Sequence, residues 1–312
     1  MEQILKDKVA IITGSGQGVG REIALCFATQ GAKIITNNRK PGSSINAFEG
    51  TELDFTQEER EELLRFNGDA QTVADEIIKS GGEAIPVFGD VSKKDDAKHL
   101  VDIAIEKWGR GDIIVNNASS NWVGNILDMD MDIWDTQIIS KLCGSFYLMH
   151  YALPYMKKQG YGRIINTASD AILGLAGYAA YGAANGGITI FTKAAAKDLE
   201  GTGITVNAYT PLARTRSWYN ARTNYRLQGI PVDIVEANAP EAMKRTAEGM
   251  VPFLAYLCSE KGADITGELF HLAADGELGL WNEYKIEKTI KQADGFWTID
   301  ELDARLNNEL LL

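Results

Sequence analysis

Short stretches of apolar, β-branched residues alternate along the chain with longer amphipathic stretches. Because these stretches lack a regular polar and apolar alternation, they are typical of strands that helices cover on both faces. The alternation of such strands with helical stretches predicts βαβ units and a doubly wound parallel sheet in an α/β fold. The seven predicted strands lie at 8–13, 33–38, 83–90, 112–118, 163–169, 204–209 and 268–273.

Three segments interrupt this alternation. An acidic insert occupies 41–67, a long irregular stretch with aromatic residues occupies 214–250, and a tail occupies 278–312. The length and composition of 214–250 predict a lid over a substrate site. We expect one domain over 1–277, with the tail as an extension that packs on that domain or on a neighbouring subunit.

Composition narrows the class of partner. The net charge of −12 disfavours binding to nucleic acid or to an anionic membrane surface, so a small molecule is the expected partner. The three cysteines are widely spaced and have no nearby histidine, which predicts neither a disulfide nor a metal site. The first residues are charged and contain no long apolar run, so we expect a cytoplasmic protein.

A glycine-rich turn, TGSGQGVG at 13–20, follows the first predicted strand and opens a helix. Such a turn lets the backbone approach a pyrophosphate and places that group at the positive end of the helix. Together with GDV at 89–91, NNA at 116–118, Ser169 and Tyr181, this motif resembles the short-chain dehydrogenase/reductase family. The resemblance covers about residues 5–275, and it implies a seven-stranded Rossmann-type fold that binds a nicotinamide dinucleotide.

The resemblance also implies a set of cofactor-binding residues. The glycine turn would hold the pyrophosphate, the GDV motif would flank the adenine, and NNA would lie behind the nicotinamide ribose. The family's glycine after the proline of the sixth strand is Leu212 here. The implied residues are Gly14, Ser15, Gln17, Gly18, Val19, Gly20, Asp90, Val91, Asn117, Ala118, Pro211 and Thr215.

The choice between NAD and NADP depends on Asn38 and Arg39, at the end of the second predicted strand. An acidic residue there would bind the ribose 2′-hydroxyl and repel a 2′-phosphate. Asn38 carries no charge, whereas Arg39 is equally compatible with a 2′-phosphate and with a solvated turn. The glycine turn offers no second cation, and the acidic insert follows at once, so NAD is favoured and NADP stays open.

Carbonyl reduction needs a proton donor, a second hydrogen bond to the oxygen, and a positive charge that lowers the donor's pKa. The resemblance assigns the first two roles to Tyr181 and Ser169. Four residues after Tyr181, where the family has lysine, the sequence has Asn185, and where the family has asparagine on the preceding helix, it has Lys141. We hypothesise that Lys141 supplies the charge and that Asn185 binds the nicotinamide ribose. Two alternatives are a surface Lys141 in a non-catalytic dinucleotide-binding protein, and slow catalysis by Asn185 with water.

The predicted substrate pocket is apolar and aromatic, which favours a bulky hydrophobic ketone or secondary alcohol. Its predicted lining residues are Trp122, Leu175, Tyr178 and Trp218. The overall form resembles bacterial 20β-hydroxysteroid dehydrogenases, which implies reduction of a steroid C20 ketone with NADH. The segment HYALPYMKKQGYGRIIN at 150–166 resembles the dehydrogenase part of peroxisomal multifunctional proteins, which implies oxidation of a 3-hydroxyacyl-CoA. The family implies a homotetramer built by the fourth and fifth helices and the last strand, and a non-catalytic subunit stays an alternative.

Overall fold

A computed structural model describes most of the chain. The described residues are 3–42, 57–64, 66–120, 122–219, 231, 233, 237, 239–281, 288–290, 299–305 and 309. Met1–Leu280 form one compact unit, and Trp281–Leu312 form a second. Much of the acidic insert, the central part of the predicted lid and most of the C-terminal extension therefore lie outside the described residues.

The first unit is built on one twisted sheet in the order β3-β2-β1-β4-β5-β6-β7-β8. Its first seven strands are parallel, as predicted, and the α/β fold class is confirmed. The strands are β1 (Val9–Ile12), β2 (Lys33–Asn38), β3 (Glu83–Phe88), β4 (Ile113–Asn116), β5 (Gly162–Thr167), β6 (Ile204–Leu212), β7 (Leu269–Ala273) and β8 (Leu278–Leu280).

The eighth strand, β8, lies in the segment that was predicted as an extension. It runs antiparallel to β7 because the chain turns back tightly at Gly276, whose φ of +102° suits glycine. The strand is three residues long, and Leu278 and Leu280 are exposed, so its sequence carries no pattern that marks a buried strand.

Helices cover both faces of this sheet. Those of the first unit are α1 (Gly18–Thr29), α2 (Gln57–Leu64), α3 (Ala70–Lys79), α4 (Lys94–Trp108), α5 (Met131–Ile138), α6 (Gly144–Gln159), α7 (Ala179–Asp198) and α8 (Val251–Leu257). A single helix of the second unit, α9 (Ile299–Arg305), is described. Short 3₁₀ turns occur at Ile126–Asp128, Asp170–Leu173, Glu241–Lys244, Ala247–Gly249 and Glu260–Gly262.

The central strands are buried on both faces. In β1, Ala10 and Ile12 belong to the apolar cluster that includes Phe27 of α1, whereas Ile11 belongs to the cluster that includes Leu148 of α6. This double burial explains why the strands lack polar and apolar alternation. Since β1 lies between β2 and β4, the chain crosses from it in opposite directions, and a crevice opens at the carboxyl ends of these strands.

The described residues contain neither a candidate membrane span nor a candidate metal site. No helix there combines the length and the apolar content that crossing a bilayer requires. No group of three or more His, Cys, Asp or Glu side chains in that part of the chain is arranged to hold a metal ion.

Candidate active site

The glycine-rich turn adopts a conformation that only glycine accommodates well. Gly14 and Gly18 have φ angles of +63° and +54°. At Gly20 the constraint is space, because a Cβ there would lie 2.5 Å from Nδ2 of Asn117 and from the carbonyl of Gly14. The turn is therefore pressed against the end of β4, and α1 begins with its backbone amides directed away from the sheet.

Hydrogen bonds fix this turn to its neighbouring strands. The hydroxyl of Thr13 accepts bonds of 3.0 Å from the amides of both Asn117 and Ala118. The hydroxyl of Ser15 accepts a bond of 2.8 Å from the amide of Asn37. The turn is thus tied to β4 on one side and to β2 on the other.

A cavity of about 900 Å³ lies at the carboxyl ends of the strands, above this turn. Most of the predicted site residues line it. They are Gly14, Gln17, Gly18, Val19, Asn38, Arg39, Asp90, Val91, Asn117, Ala118, Lys141, Ser169, Leu175, Tyr178, Tyr181, Pro211, Thr215 and Trp218. The structure therefore brings the predicted dinucleotide site, catalytic residues and substrate residues into one continuous space.

Four predicted site residues are not brought to the cavity. Ser15 and Gly20 shape the turn beneath it through the contacts described above. Trp122 does not line the cavity, because its ring lies over Gly124, where a Cβ would meet it at 2.5 Å. Asn185 is fully buried and does not line the cavity.

The glycine turn fits the pyrophosphate of a dinucleotide. The N-cap residue of α1, Gln17, makes no side-chain capping bond, and its buried Oε1 has no hydrogen-bond partner. A Cβ at Gly18 would make an ordinary contact of 3.6 Å with Thr215, so Thr215 lies directly beside the turn. The helix start thus presents amide donors and positive partial charge to the cavity, where a phosphate group would be stabilised.

Tyr181 lies in the first turn of α7, and Ser169 lies just after β5. Burial raises the pKa of the Tyr181 hydroxyl, whereas hydrogen bonding with Ser169, Asn185 and Ser119 lowers it. The nearby carboxylate of Asp170 raises it further. The hydroxyl is therefore protonated in the ligand-free protein, and a positive charge is needed if it is to give up its proton readily.

A chain of buried amides holds α7 against the sheet below Tyr181. Nδ2 of Asn116 donates to Oδ1 of Asn166 at 2.8 Å, and Nδ2 of Asn166 donates to the hydroxyl of Thr192 at 2.9 Å. These three residues connect β4, β5 and α7. The position of Tyr181 is thus fixed by polar contacts as well as by packing.

Lys141 occupies an irregular turn of helix. Between α5 and α6, Ile139–Cys143 form a π-helical turn, a feature that is frequent at functional sites because the extra residue redirects side chains. Lys141 is 1% exposed and lines the cavity, so the alternative of a surface lysine is wrong. Burial lowers its pKa to about 7.

Asn185 lies one turn below Tyr181 on α7. Its Nδ2 donates to the backbone carbonyl of Tyr181 at 2.8 Å, and its buried Oδ1 has no hydrogen-bond partner. The predicted contact with the nicotinamide ribose stays a prediction. Within the protein, the Asn185 side chain interacts with the backbone carbonyl of Tyr181 and with its hydroxyl.

The cavity also contains a polar face that the sequence analysis missed. Five residues of one helix face line the same space as Tyr181: Asp132, Asp135, Thr136, Ile139 and Ser140. Their spacing of three and four residues is that of one side of a helix, and the pattern ends next to Lys141. This periodicity is the signal that would have found them.

Comparisons with known proteins agree with this architecture. The family model described as Enoyl-(Acyl carrier protein) reductase matches residues 56–276. A crystal structure of a short chain dehydrogenase from Mycobacterium avium superposes with a TM-score of 0.76 and is 29% identical, covering 98% of this chain and 95% of that one.

Two curated relatives show the range of activities among similar proteins. A 3-oxoacyl-[acyl-carrier-protein] reductase from Synechocystis sp. is 32% identical over 279 residues, 89% of this chain and 99% of the relative. The peroxisomal hydratase-dehydrogenase-epimerase from Saccharomyces cerevisiae is 31% identical over 291 residues, 92% of this chain but 28% of that larger protein.

Proposed function

The chain belongs to the short-chain dehydrogenase/reductase family of oxidoreductases, whose members use NAD(H) or NADP(H), and we propose that it interconverts a ketone and a secondary alcohol through Tyr181 and Lys141. The observation that carries this proposal is the lysine in the π-helical turn. Lys141 is buried and lines the same cavity as Tyr181 and Ser169, whereas the residue four after Tyr181 is Asn185. The required cation would thus come from the π-helical turn and not from α7.

The proposed division of labour follows from the chemistry of each group. A bound nicotinamide dinucleotide supplies the hydride in reduction and accepts it in oxidation. In reduction, the hydroxyls of Ser169 and Tyr181 donate hydrogen bonds to the carbonyl oxygen, and Tyr181 then transfers its proton to that oxygen. The protonated Lys141 stabilises the resulting phenolate, which matters because burial alone raises the pKa of Tyr181.

This division of labour is tested by separating dinucleotide binding from turnover. Lys141→Met and Tyr181→Phe should each lower ketone reduction by about 10²-fold or more, while titration of protein fluorescence shows NADH still bound. Lys197→Met, which removes an exposed lysine on α7, is the matched control and should keep wild-type turnover. Wild-type turnover by Lys141→Met would refute the proposed role of Lys141.

For the dinucleotide itself, the proposal is NAD(H). The carboxylate of Asp69 is buried, and its backbone packs against Gly16 beside Asn38. This carboxylate accepts a bond of 3.0 Å from the amide of Thr72 and does not line the cavity, so its charge would disfavour a 2′-phosphate only from a distance. Arg39 also lines that end and is exposed, so its attraction for a 2′-phosphate is screened by solvent. We expect a lower Kd for NADH than for NADPH, and we expect the ratio of the two Kd values to be the same in Arg39→Ala.

For the substrate, the proposal is a bulky uncharged ketone, with the C20 ketone of a steroid as the first choice. Leu175, Tyr178 and Trp218 give one wall of the cavity its apolar area. Asp132 and Asp135 also line the cavity, and their carboxylates repel an anionic carrier such as coenzyme A, although solvent screens this repulsion because both residues are exposed. The runner-up, a 3-hydroxyacyl or 3-oxoacyl thioester, is favoured by the name of the Synechocystis relative, a 3-oxoacyl-[acyl-carrier-protein] reductase.

The two substrate classes are distinguished by a panel assay. Oxidation of NADH at 340 nm would be followed with C20 ketosteroids and with 3-oxoacyl thioesters, for the wild type and for Asp132→Asn/Asp135→Asn. Preference for the ketosteroid, with little change in the variant, is the expected result. A higher kcat/KM for the thioester would overturn the steroid assignment and leave the roles of Tyr181 and Lys141 intact.

We also propose the homotetramer that the family implies. Phe146 and Tyr155 of α6 and Ile190 of α7 are exposed apolar side chains on the helices expected to form one interface. Leu278 and Leu280 of β8 are exposed at the sheet edge expected to form the other. A mass of four chains in light scattering is expected, and a monomeric mass at micromolar concentration would refute this assembly.

A further inference from the structure

The end of the acidic insert contacts the beginning of the predicted lid. Leu63 of α2 and Tyr219 form a small buried cluster, against which Phe66 and Trp218 pack. The rings of Phe66 and Tyr219 lie 6.0 Å apart between centroids. Two segments that are about 150 residues apart in the sequence therefore meet beside the glycine turn. We call this contact the clasp, and it consists of Leu63, Phe66 and Asn67 on one side and Arg216, Trp218 and Tyr219 on the other.

Arg216 is the charged member of the clasp. Its Nη2 donates a bond of 2.9 Å to Oδ1 of Asn67, and the residue is 8% exposed while still lining the cavity. Burial lowers its pKa to about 10, so the guanidinium is charged at neutral pH. Arg216 therefore places a guanidinium charge at the cavity wall, where its attraction for a bound anion is only weakly screened by solvent.

The position of Arg216 along the cavity identifies the anion. Its neighbour in the sequence, Thr215, lies over Gly18, and its bonding partner, Asn67, precedes Gly68, which packs on the carbonyl of Gly16. Arg216 thus stands over residues 16–18 of the glycine turn. Among the described residues that line the cavity, the other cations are Arg39 at the end of β2 and Lys141 beside Tyr181, on either side of this central position.

We infer that Arg216, held in place by Asn67 of the insert, binds the pyrophosphate of the dinucleotide from the side opposite the glycine turn. This inference rests on the proposed function, because it presumes that the cavity binds a dinucleotide. It gives the insert a role as a positioning element for the cofactor. A guanidinium suits this role because its parallel N–H groups bind two phosphate oxygens together.

The test measures binding and does not depend on turnover. Isothermal titration would give the Kd of ADP-ribose, NADH and NADPH for the wild type and for Arg216→Met, Arg216→Lys and Asn67→Asp. The control is Arg245→Met, which removes an exposed positive charge from a nearby loop that does not line the cavity. Circular dichroism would confirm that each variant is folded.

Arg216→Met should bind all three ligands about tenfold to a hundredfold more weakly, as expected for the loss of charge-assisted hydrogen bonds to phosphate. Arg216→Lys should recover part of this loss. Asn67→Asp should also weaken binding, because the new carboxylate neutralises Arg216 without removing it. Raising the salt concentration should weaken binding less in Arg216→Met than in the wild type.

Three results would overturn the inference. Unchanged affinity of Arg216→Met for ADP-ribose would remove its role and leave the proposed function standing. A loss confined to NADPH would show that Arg216 binds the 2′-phosphate instead. Failure of the wild-type chain to bind any dinucleotide would defeat the inference together with the proposed function.

Discussion

Replacing Lys141 with methionine should make the ligand-free protein more stable while it removes activity. Lys141 is 1% exposed, and among the described residues no carboxylate forms an ion pair with it. Burial lowers its pKa from 10.5 to about 7, and a shift of that size corresponds to about 5 kcal/mol against the charged form. Methionine retains most of the apolar stem of the side chain without this cost.

The gain in stability of Lys141→Met should depend on pH, because Lys141 has a lower pKa in the folded chain than in the unfolded chain. Between about pH 7 and pH 10.5 the unfolded wild-type chain binds more protons at Lys141 than the folded chain does, so the wild type becomes more stable as pH rises. Methionine does not titrate. The advantage of Lys141→Met is therefore largest, about 5 kcal/mol, below pH 7 and falls to about 1 kcal/mol near pH 9.5.

Urea unfolding of the ligand-free protein at pH 6, 8 and 9.5 measures this difference in the free energy of unfolding. Lys197→Met, which removes an exposed lysine from α7, should stay within about 0.5 kcal/mol of the wild type at each pH. A destabilised Lys141→Met at pH 6, or an advantage that does not change with pH, would show that the buried ammonium is compensated within the ligand-free protein and would refute this reasoning.

Other predictions test the remaining parts of the site. The kcat/KM for ketone reduction should fall as pH rises through about 7, where Lys141 loses its proton, and a pH profile of Lys141→Met should lack that step. Gly20→Ala should cost about 1–3 kcal/mol in urea unfolding and weaken NADH binding, because its Cβ would lie 2.5 Å from Asn117, whereas Gly186→Ala, in open space on α7, should be neutral or stabilising. The double variant Lys141→Asn/Asn185→Lys should recover part of the turnover that Lys141→Asn loses. No recovery in the kinetic assay would show that a lysine at position 185 does not replace Lys141 in this protein.

The parallel sheet and the glycine turn could be predicted because their signals are local. A run of apolar residues such as VAII in β1, followed by Gly14 and Gly18, encodes strand, turn and helix within about twenty residues. The presence of Lys141 in the cavity could also be predicted, because Asn185 stands where the family has a lysine and the site still needs a positive charge. Its placement in a π-helical turn could not, because nothing in ISKLC differs from an ordinary helical sequence.

The clasp and the position of Trp122 depend on contacts between distant parts of the chain. Asn67 and Arg216 are separated by 149 residues, and neither lies in a local sequence pattern that indicates the other as its hydrogen-bond partner. Trp122 was predicted to face the substrate from its place after NNAS, but its indole covers Gly124 instead. A large apolar side chain on a loop has several surfaces to cover, and only the fold decides among them.

The exchange of lysine and asparagine changes more than the position of the lysine in the sequence. A lysine on α7 would stand one turn from Tyr181 on the same helix, whereas Lys141 reaches the cavity from a π-helical turn between α5 and α6. Helix α5, which continues into that π-helical turn, carries Asp132 and Asp135 on the face that lines the cavity. In the proposed mechanism, the activating charge of Lys141 and the carboxylates of Asp132 and Asp135 lie on consecutive turns of the same helical segment. We therefore expect a substrate that displaces this segment to displace Lys141 relative to the Tyr181 hydroxyl as well.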